Sequence, residues 1–224
     1  MDVMERRRAL MMGQKKARLP RGFREVEFLK SPDTTVGSYD NNAHIDLNIK
    51  PVAGISVVCV FEIPAHVSTY YSYFGCRSNV NFFVNNGDGN DNMFFWVNNK
   101  YKILKLPSNG MFELSMSDLI GTVEIPPGGN RYQTSFSASS FPDLSMFLFA
   151  YNYNGVGRGA GGIRCKKCDV LINGEKVRNL ITCYRESDNK PGLYDLCGSI
   201  CPLTNSPFYI NSGTGEFLVG PEVN

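Results

Sequence analysis

Short stretches of alternating or continuous apolar residues recur along the chain from about residue 23, with turn-forming residues between them. Residues 23–29 and 43–49 alternate apolar and polar positions, which is typical of a strand with one buried face. Residues 55–63 form a continuous apolar run, as expected for a central strand of a sandwich. The pattern therefore predicts β-structure from residue 23 onward.

Further strands are predicted along the rest of the chain, and Asn173-Gly174 predicts a hairpin turn between two of them. These strands span residues 68–76, 79–84, 92–97, 100–105, 110–116, 121–125, 132–137, 147–153, 163–172, 175–180 and 180–186. So many short strands without a convincing helix predict an all-β fold, an antiparallel two-sheet sandwich in one domain over residues 23–224. Its core is expected to include Ile55, Val57, Cys59, Phe61, Phe147, Phe149 and Leu171.

Composition narrows the class of protein. With 42% apolar and 20% charged residues, the 224-residue chain can bury a core. A net charge of +2 is too balanced for a dedicated nucleic-acid binder, and no run of about 18 apolar residues could span a membrane. The charge is uneven, because residues 1–24 carry +6 and the other 200 residues carry −4. This asymmetry predicts an appended basic arm over residues 1–22.

The arm has two interpretations. It could be a frayed, solvated tail, the common outcome for such segments. It could instead be a docking arm, in which residues 1–12 form a short amphipathic helix that orders only against a partner. The residues expected to dock it onto a partner protein are Arg6, Arg7, Arg8, Leu10, Met11, Lys15 and Lys16. The apolar stretch at residues 9–12 is too short for a secretory signal peptide.

Seven cysteines occur, and without a signal peptide we expect them to be reduced thiols. Cys165-x-x-Cys168 and Cys197-x-x-x-Cys201 together resemble a four-cysteine zinc ribbon. The first pair lies in a predicted strand, where residues three apart point to opposite faces, so we predict no shared zinc site. Cys197 and Cys201 could pair with each other in an oxidising environment.

The catalytic motifs that the sequence resembles lack the structural context that their chemistry needs. Gly157, Gly159 and Gly162 match G-x-G-x-x-G, but a strand follows them, whereas dinucleotide binding needs a helix. The two histidines, His44 and His66, are expected at the surface, and no pair of acids can be assigned to a glycosidase. We therefore predict no catalytic residues, no cofactor and no metal.

Two predicted strands rich in tyrosine contain further candidates for a contact surface. They contain Tyr70, Tyr71, Tyr73, Tyr151 and Tyr153. Because neighbouring residues in a strand point to opposite faces, some of these rings must fill the core while others face outward. The outward rings would suit sugar stacking or contact with another subunit. Packing at a sheet edge is the alternative.

The C-terminal third carries the strings GIRCK at 162–166, DVLINGEKVRNL at 169–180 and FYINSGTGEF at 208–217. They resemble a family of uncharacterised LamG-like (concanavalin A-like jelly-roll) proteins found in phages, prophages and gut bacteria. VEFLKS at 26–31 and HIDLNI at 44–49 resemble that family's N-terminal string VEYLESTGTQYIDTGI. FGCR at 74–77 resembles its FGAR stretch. The resemblance implies a jelly-roll sandwich over residues 23–223 and brings no catalytic residues.

Together, the resemblance and the arm lead us to expect a non-enzymatic phage virion protein. It would be a fibre, decoration or receptor-binding component of capsid or tail, located in the virion and made in the host cytoplasm. We expect the arm to bind other virion proteins, the domain to bind a host glycan, and the chain to form a homo-oligomer. The alternatives are a bacterial cell-surface glycan-binding module, a glycan-active enzyme on the same fold, or a zinc-ribbon nucleic-acid binder.

Overall fold

A computed structural model of the chain describes residues 19–33, 42–63, 71–86, 92–105, 110–159 and 161–223. Within these ranges the chain forms strands and turns and no helix, which confirms the predicted all-β fold. The strands are β1 (Phe23–Glu25), β2 (Leu29–Lys30), β3 (Ile45–Asp46), β4 (Ile55–Ile63), β5 (Ser72–Arg77), β6 (Asn81–Asn86), β7 (Asn92–Val97), β8 (Lys100–Lys105), β9 (Gly110–Ser117), β10 (Ile120–Ile125), β11 (Asn130–Ser135), β12 (Phe147–Leu148), β13 (Tyr151–Tyr153), β14 (Val156–Arg158), β15 (Arg164–Ile172), β16 (Glu175–Arg185), β17 (Lys190–Asp195), β18 (Phe208–Tyr209) and β19 (Leu218–Val219). No helix in these ranges is long and apolar enough to cross a membrane.

These strands form two sheets that pack face to face as a sandwich, consistent with a jelly-roll-like topology. The larger sheet runs β11-β10-β9-β4-β15-β16-β17-β18, with β1, β2 and β19 added along it. The smaller sheet runs β14-β13-β5-β6-β7-β8, with β12 and β3 beside β5. Strand pairs in the described ranges are antiparallel except β13 with β5. Strands β8 and β11 are the end strands on one side, so the sandwich is open between them.

Strand β4 shows how the sequence builds the core. Its burial alternates, so Ile55, Val57, Cys59 and Phe61 all point inward, as predicted. The ring of Phe61 meets Tyr73 from the smaller sheet at a centroid distance of 5.2 Å. Apolar burial of this kind, at about 25 cal/mol per Å², supplies most of the driving force that holds two sheets together.

Strand β15 corrects two predictions. Cys165 and Cys168 both face the core, because the pairing with β4 shifts register between Cys165 and Lys167 and the alternation slips by one residue. Leu171 lies on the outer face and is only partly buried, while Val170 fills the core. In a run such as Val170-Leu171-Ile172 the apolar pattern does not decide which residues point inward; the register with the neighbouring strands does.

Strand boundaries in the Tyr-rich and C-terminal regions also differ from the prediction. The predicted strand at 147–153 is two short strands, because Phe149 has a φ of 71° and turns the backbone between them. The predicted strands at 175–180 and 180–186 form the single strand β16. The hairpin turn at Asn173-Gly174 is present, with positive φ at both residues.

Candidate functional site: an aromatic strip on the smaller sheet

A continuous row of aromatic rings crosses the outer face of the smaller sheet, the face turned away from the larger sheet. Tyr151 stacks on Phe83 at a centroid distance of 4.4 Å, and Phe83 stacks on Trp96 at 5.6 Å. Trp96 contacts Tyr101 at 4.8 Å, and Tyr101 contacts Phe94 at 5.3 Å. We call these five residues the aromatic strip. They come from β13, β6, β7 and β8, so four strands contribute to one surface.

Gly75 lies beside the strip, where its neighbours leave no room for a side chain. It lies opposite Phe83 between β13 and β6, at φ +127°, and a Cβ at this position would lie 2.4 Å from the Phe83 Cβ. The absence of a side chain therefore permits the close approach of the β5 backbone to Phe83. This glycine belongs to the FGCR string, so one residue of that string has a clear structural role next to the strip.

Burial decreases along the strip. Tyr151 and Phe83 are buried at one end, Trp96 and Phe94 are half-buried, and Tyr101 is 50% exposed. The indole Nε1 of Trp96 donates a hydrogen bond to Asn85 Oδ1 at 3.0 Å, which fixes the plane of the ring. The strip is therefore rigid at its inner end and accessible at Tyr101.

Tyr153, two residues beyond Tyr151 on the same face of β13, is flanked by two cations. The guanidinium of Arg158 lies 4.2 Å from the Tyr153 ring centroid, and that of Arg77 lies 5.5 Å away. Cation–π contacts of this kind order both partners. The face is thus aromatic along its middle and positively charged at the Tyr153 end.

The tyrosines predicted at a surface are divided by the structure. Tyr151 and Tyr153 lie on the outer face, but Tyr151 is buried there at 6% exposure, so of the two only Tyr153 is accessible, as the ligand-contact hypothesis requires. Tyr71 and Tyr73 are buried in the core, so their assignment as ligand or subunit contacts is wrong. For Tyr73 the reason is its contact with Phe61 of the opposite sheet. Tyr70 lies outside the described residues, as do all of the predicted docking residues of the arm: Arg6, Arg7, Arg8, Leu10, Met11, Lys15 and Lys16.

The expected surface position of His44 is also wrong. His44 is 3% exposed and stacks on Phe147 at 4.1 Å, with its Nδ1 2.7 Å from the Asn42 carbonyl oxygen. Burial lowers the pKa of His44, and the carbonyl contact opposes that shift in part. Gly157 allows this packing, because a Cβ there would lie 2.4 Å from the imidazole Nδ1. His44 is thus a packed residue beside the smaller sheet.

A pair of carboxylates that the sequence did not reveal lies on the outer face of the larger sheet. Glu113 on β9 is directly opposite Glu124 on β10, and Arg131 lies 4.0 Å from Glu124. Burial and the neighbouring Glu124 raise the pKa of Glu113. A raised pKa is one of the properties that a general acid needs. The pair lies on the opposite side of the sandwich from the aromatic strip, so the two do not form one site.

The cysteines lie mainly in the core. Cys59, Cys165 and Cys168 are buried together there, and burial raises the pKa values of Cys59 and Cys165. Cys201 is buried and Cys197 is exposed. Over the described ranges, no group of three or more His, Cys, Asp or Glu side chains is arranged to hold a metal ion.

Comparison with known proteins finds weak structural likeness and no match by sequence. No family model matches the chain, and no curated protein matches it. The solved structure of Scytalido-glutamic peptidase with a peptide-based transition state analog matches at 16% identity and a TM-score of 0.42, over 80% of this chain and 100% of that one. SCP-B, a member of the Eqolisin family of peptidases in complex with the tripeptide Ala-Ile-His, matches at 16% identity and 0.39, over the same shares.

A third matching structure is the full-length tailspike protein 2 of the Escherichia coli O157:H7 bacteriophage CAB120. It matches at 14% identity and a TM-score of 0.37, over 70% of this chain and 27% of the tailspike. At these identities and TM-scores the three matches carry no conclusion about this chain.

These comparisons correct one prediction. From the sequence we expected a protein that is not an enzyme, whereas two of the three solved structures above are peptidases. The expectation is contradicted, and we withdraw it. The chemistry of those peptidases remains a property of those proteins, because a likeness at this level does not transfer a reaction.

Proposed function

We propose that this chain is a glycan-binding β-sandwich protein that uses the aromatic strip to attach a phage particle to its host surface. The observation that carries the proposal is the row of five rings from four strands on one outer face, ending at the half-exposed Tyr101. The supporting sequence feature is the resemblance of the chain to jelly-roll proteins of phages and prophages.

Sugar rings and aromatic side chains are suited to each other. The axial C–H groups of a pyranose form a flat apolar face, which stacks on an aromatic ring, while its hydroxyls remain free to hydrogen-bond. An accessible aromatic ring at the end of such a row otherwise marks a contact surface with another protein. The strip favours a sugar polymer because it is narrow, linear and fixed in orientation by the Asn85–Trp96 hydrogen bond.

The virion part of the proposal concerns the arm. In it, the basic residues 1–22 join the domain to other virion proteins, and several copies on one particle add their weak glycan contacts together. Deleting residues 1–22 is expected to leave a folded domain that binds glycan and no longer joins the particle. A truncated chain that assembles normally would contradict the docking role of the arm.

The glycan contact is tested by binding of the full chain to purified bacterial capsule and lipopolysaccharide polysaccharides in affinity electrophoresis. Replacing Tyr101→Ala is expected to weaken binding about tenfold or more, since it removes the accessible ring of the strip. Tyr132→Ala is the matched control, because Tyr132 is 44% exposed on β11 of the other sheet. Equal binding by wild type, Tyr101→Ala and Trp96→Ala, or no binding to any polysaccharide, would refute the proposal.

A further inference from the structure

The open side of the sandwich contains a cleft next to the end of the aromatic strip. The end strands β8 and β11 are not hydrogen-bonded to each other there, and a space of about 590 Å³ lies between β8 and residues 135–139. Small-molecule sites in proteins have volumes of about 300–1,000 Å³, so the cleft has room for a sugar residue. Tyr101 borders this cleft, and its ring ends the aromatic strip on the outer face, so the two surfaces meet at the end strand β8. We call this space the edge cleft.

One side chain ties the wall opposite β8 to the turn between β7 and β8, and backbone hydrogen bonds from Phe136 and Ala138 to Leu119 and Asp118 hold the wall from the other side. Asn98 Nδ2 donates hydrogen bonds to the Ser137 carbonyl oxygen at 3.0 Å and to Ser139 Oγ at 3.1 Å. Ser140 Oγ in turn donates to Asn98 Oδ1 at 3.1 Å. Asn98 occupies the turn between β7 and β8 at a φ of 50°, a conformation that asparagine tolerates well. The hydroxyls and amide of this wall are therefore ordered before any ligand arrives.

Lys100 and Lys102 give the edge cleft its charge. They alternate with Tyr101 along β8 and lie opposite Val97 and Phe95, whose side chains point into the core, so both lysines face the interior at its open side. Both are exposed, and neither forms a salt bridge with any residue in the described ranges. None of the described residues that line the cleft is acidic. Two ammonium groups beside ordered hydroxyls make a site for a carboxylate.

We propose that the edge cleft binds the carboxylate of an acidic sugar residue, a uronic acid, within the glycan that the aromatic strip holds. This inference rests on the proposed glycan-binding function and specifies its ligand class. Tyr101 stacks on a sugar ring on the outer side of β8, and the polymer continues around the open edge of this end strand. Lys100 and Lys102, on the inner side, bind the carboxylate of the uronic acid that enters the cleft. Asn98, Ser137 and Ser139 form the polar wall facing the hydroxyls of that residue. Arg77 and Arg158 at the other end of the face add positive charge that favours the same acidic polymer.

Inward-facing lysines on an end strand also have a role that needs no ligand. They prevent edge-to-edge pairing between copies of the chain. That role requires only the charges, whereas a carboxylate site also requires the cleft and the polar wall described above. The two explanations differ in what a loss of charge changes: self-association in one case, affinity for acidic glycans in the other.

The test compares acidic polysaccharides with their carboxyl-reduced forms. The probes are polygalacturonate, alginate and hyaluronan, each before and after reduction of its carboxylates to alcohols, titrated against the full chain at low and high salt. The variant is the double substitution Lys100→Gln with Lys102→Gln. Lys105→Gln is the matched control, because Lys105 is an exposed lysine of the same strand that does not line the cleft.

The expected result is that at least one acidic probe binds about tenfold more tightly than its reduced form and loses about tenfold in affinity in the double variant. Lys105→Gln is expected to bind as the wild type does, and high salt to weaken the acidic probe selectively. If acidic and reduced probes bind equally and Tyr101→Ala weakens the binding of both, the inference is wrong and the proposed function stands. Self-association of the double variant with unchanged affinity overturns the inference in favour of edge protection. No binding to acidic, reduced or other polysaccharides overturns both.

Discussion

The two outer faces of this sandwich have the same strand geometry and opposite chemistry. The smaller sheet presents stacked rings that are buried at Tyr151 and Phe83 and become accessible at Tyr101. The larger sheet presents ion pairs, including Glu62 with Arg164 at 2.8 Å and Lys167 with Asp169 at 2.9 Å. The ion-paired face is solvated by water and needs no partner. The accessible ring of the aromatic strip is the part of the other face for which we propose one.

The difference also shows how each face is stabilised. On the smaller sheet, rings pack on rings, and removing one leaves a gap beside its neighbours. On the larger sheet, exposed and half-exposed ion pairs each contribute little, because water competes for both partners. The same kind of substitution should therefore lower the free energy of unfolding much more on the aromatic face than on the ion-paired face.

The largest effect is expected from Gly75→Ala. The new Cβ would lie 2.3 Å from the Phe82 carbonyl oxygen and 2.4 Å from the Phe83 Cβ, at a φ that L-residues rarely adopt. Loss of about 3–6 kcal/mol of unfolding free energy is expected, from overpacking plus backbone strain, measured by urea denaturation. Gly155→Ala is the control, since Gly155 also has positive φ but nothing within 4 Å of the added Cβ. It should lose only about 1–2 kcal/mol, and equal losses in the two variants would show that strain alone decides.

A large effect is also expected from Phe83→Ala at the centre of the strip. Phe83 is 2% exposed, so the truncation leaves a cavity between Tyr151 and Trp96 and should cost about 3–5 kcal/mol. On the opposite face, Glu62→Gln should cost about 1 kcal/mol or less and show a dependence on salt. Both are read from chemical denaturation midpoints at constant slope. Similar losses for the two variants would remove the contrast between the faces.

A smaller effect is expected on the pH dependence of stability below neutrality, and it depends on His44 beside the smaller sheet. The folded-state pKa of His44 is lowered from 6.5 by burial, so the folded protein binds fewer protons than the unfolded chain. His44 therefore contributes stability above about pH 6.5, and this is lost as the pH falls through its lowered folded pKa. His44→Gln should flatten that part of the stability–pH curve. An unchanged slope would mean that the imidazole is not buried as a neutral ring.

A pH dependence of stability with the opposite sign is expected from Glu113, on the outer face of the larger sheet. The folded-state pKa of Glu113 is raised above 4.5, first by burial and then by Glu124. Its contribution is fully present below about pH 4.5 and is lost as the pH rises through the raised folded pKa. Glu113→Gln should remove this loss and stabilise the protein near neutral pH, measured as thermal midpoints across a pH series. A destabilised Glu113→Gln protein at neutral pH would show that the charged form makes a favourable contact.

Local pattern was enough to define many strands of this protein. The continuous run at residues 55–63 is β4, and the predicted strands at 92–97 and 100–105 are β7 and β8. The Asn173-Gly174 hairpin was also predictable, because a tight turn with positive φ at two successive positions favours this pair of residues. These features depend on neighbours in the sequence, and so the sequence shows them.

The amino-acid sequence by itself thus determined the all-β class, the turns and the basic charge of residues 1–24. Only the tertiary structure decided which face a side chain occupies: Leu171 points outward, Tyr73 inward, and Cys165 and Cys168 inward together. The aromatic strip was likewise hidden, because its five rings come from four strands between residues 83 and 151 and meet only once the register is set. Register depends on pairing between distant strands and on bulges, and a shift of one residue exchanges the two faces of a strand.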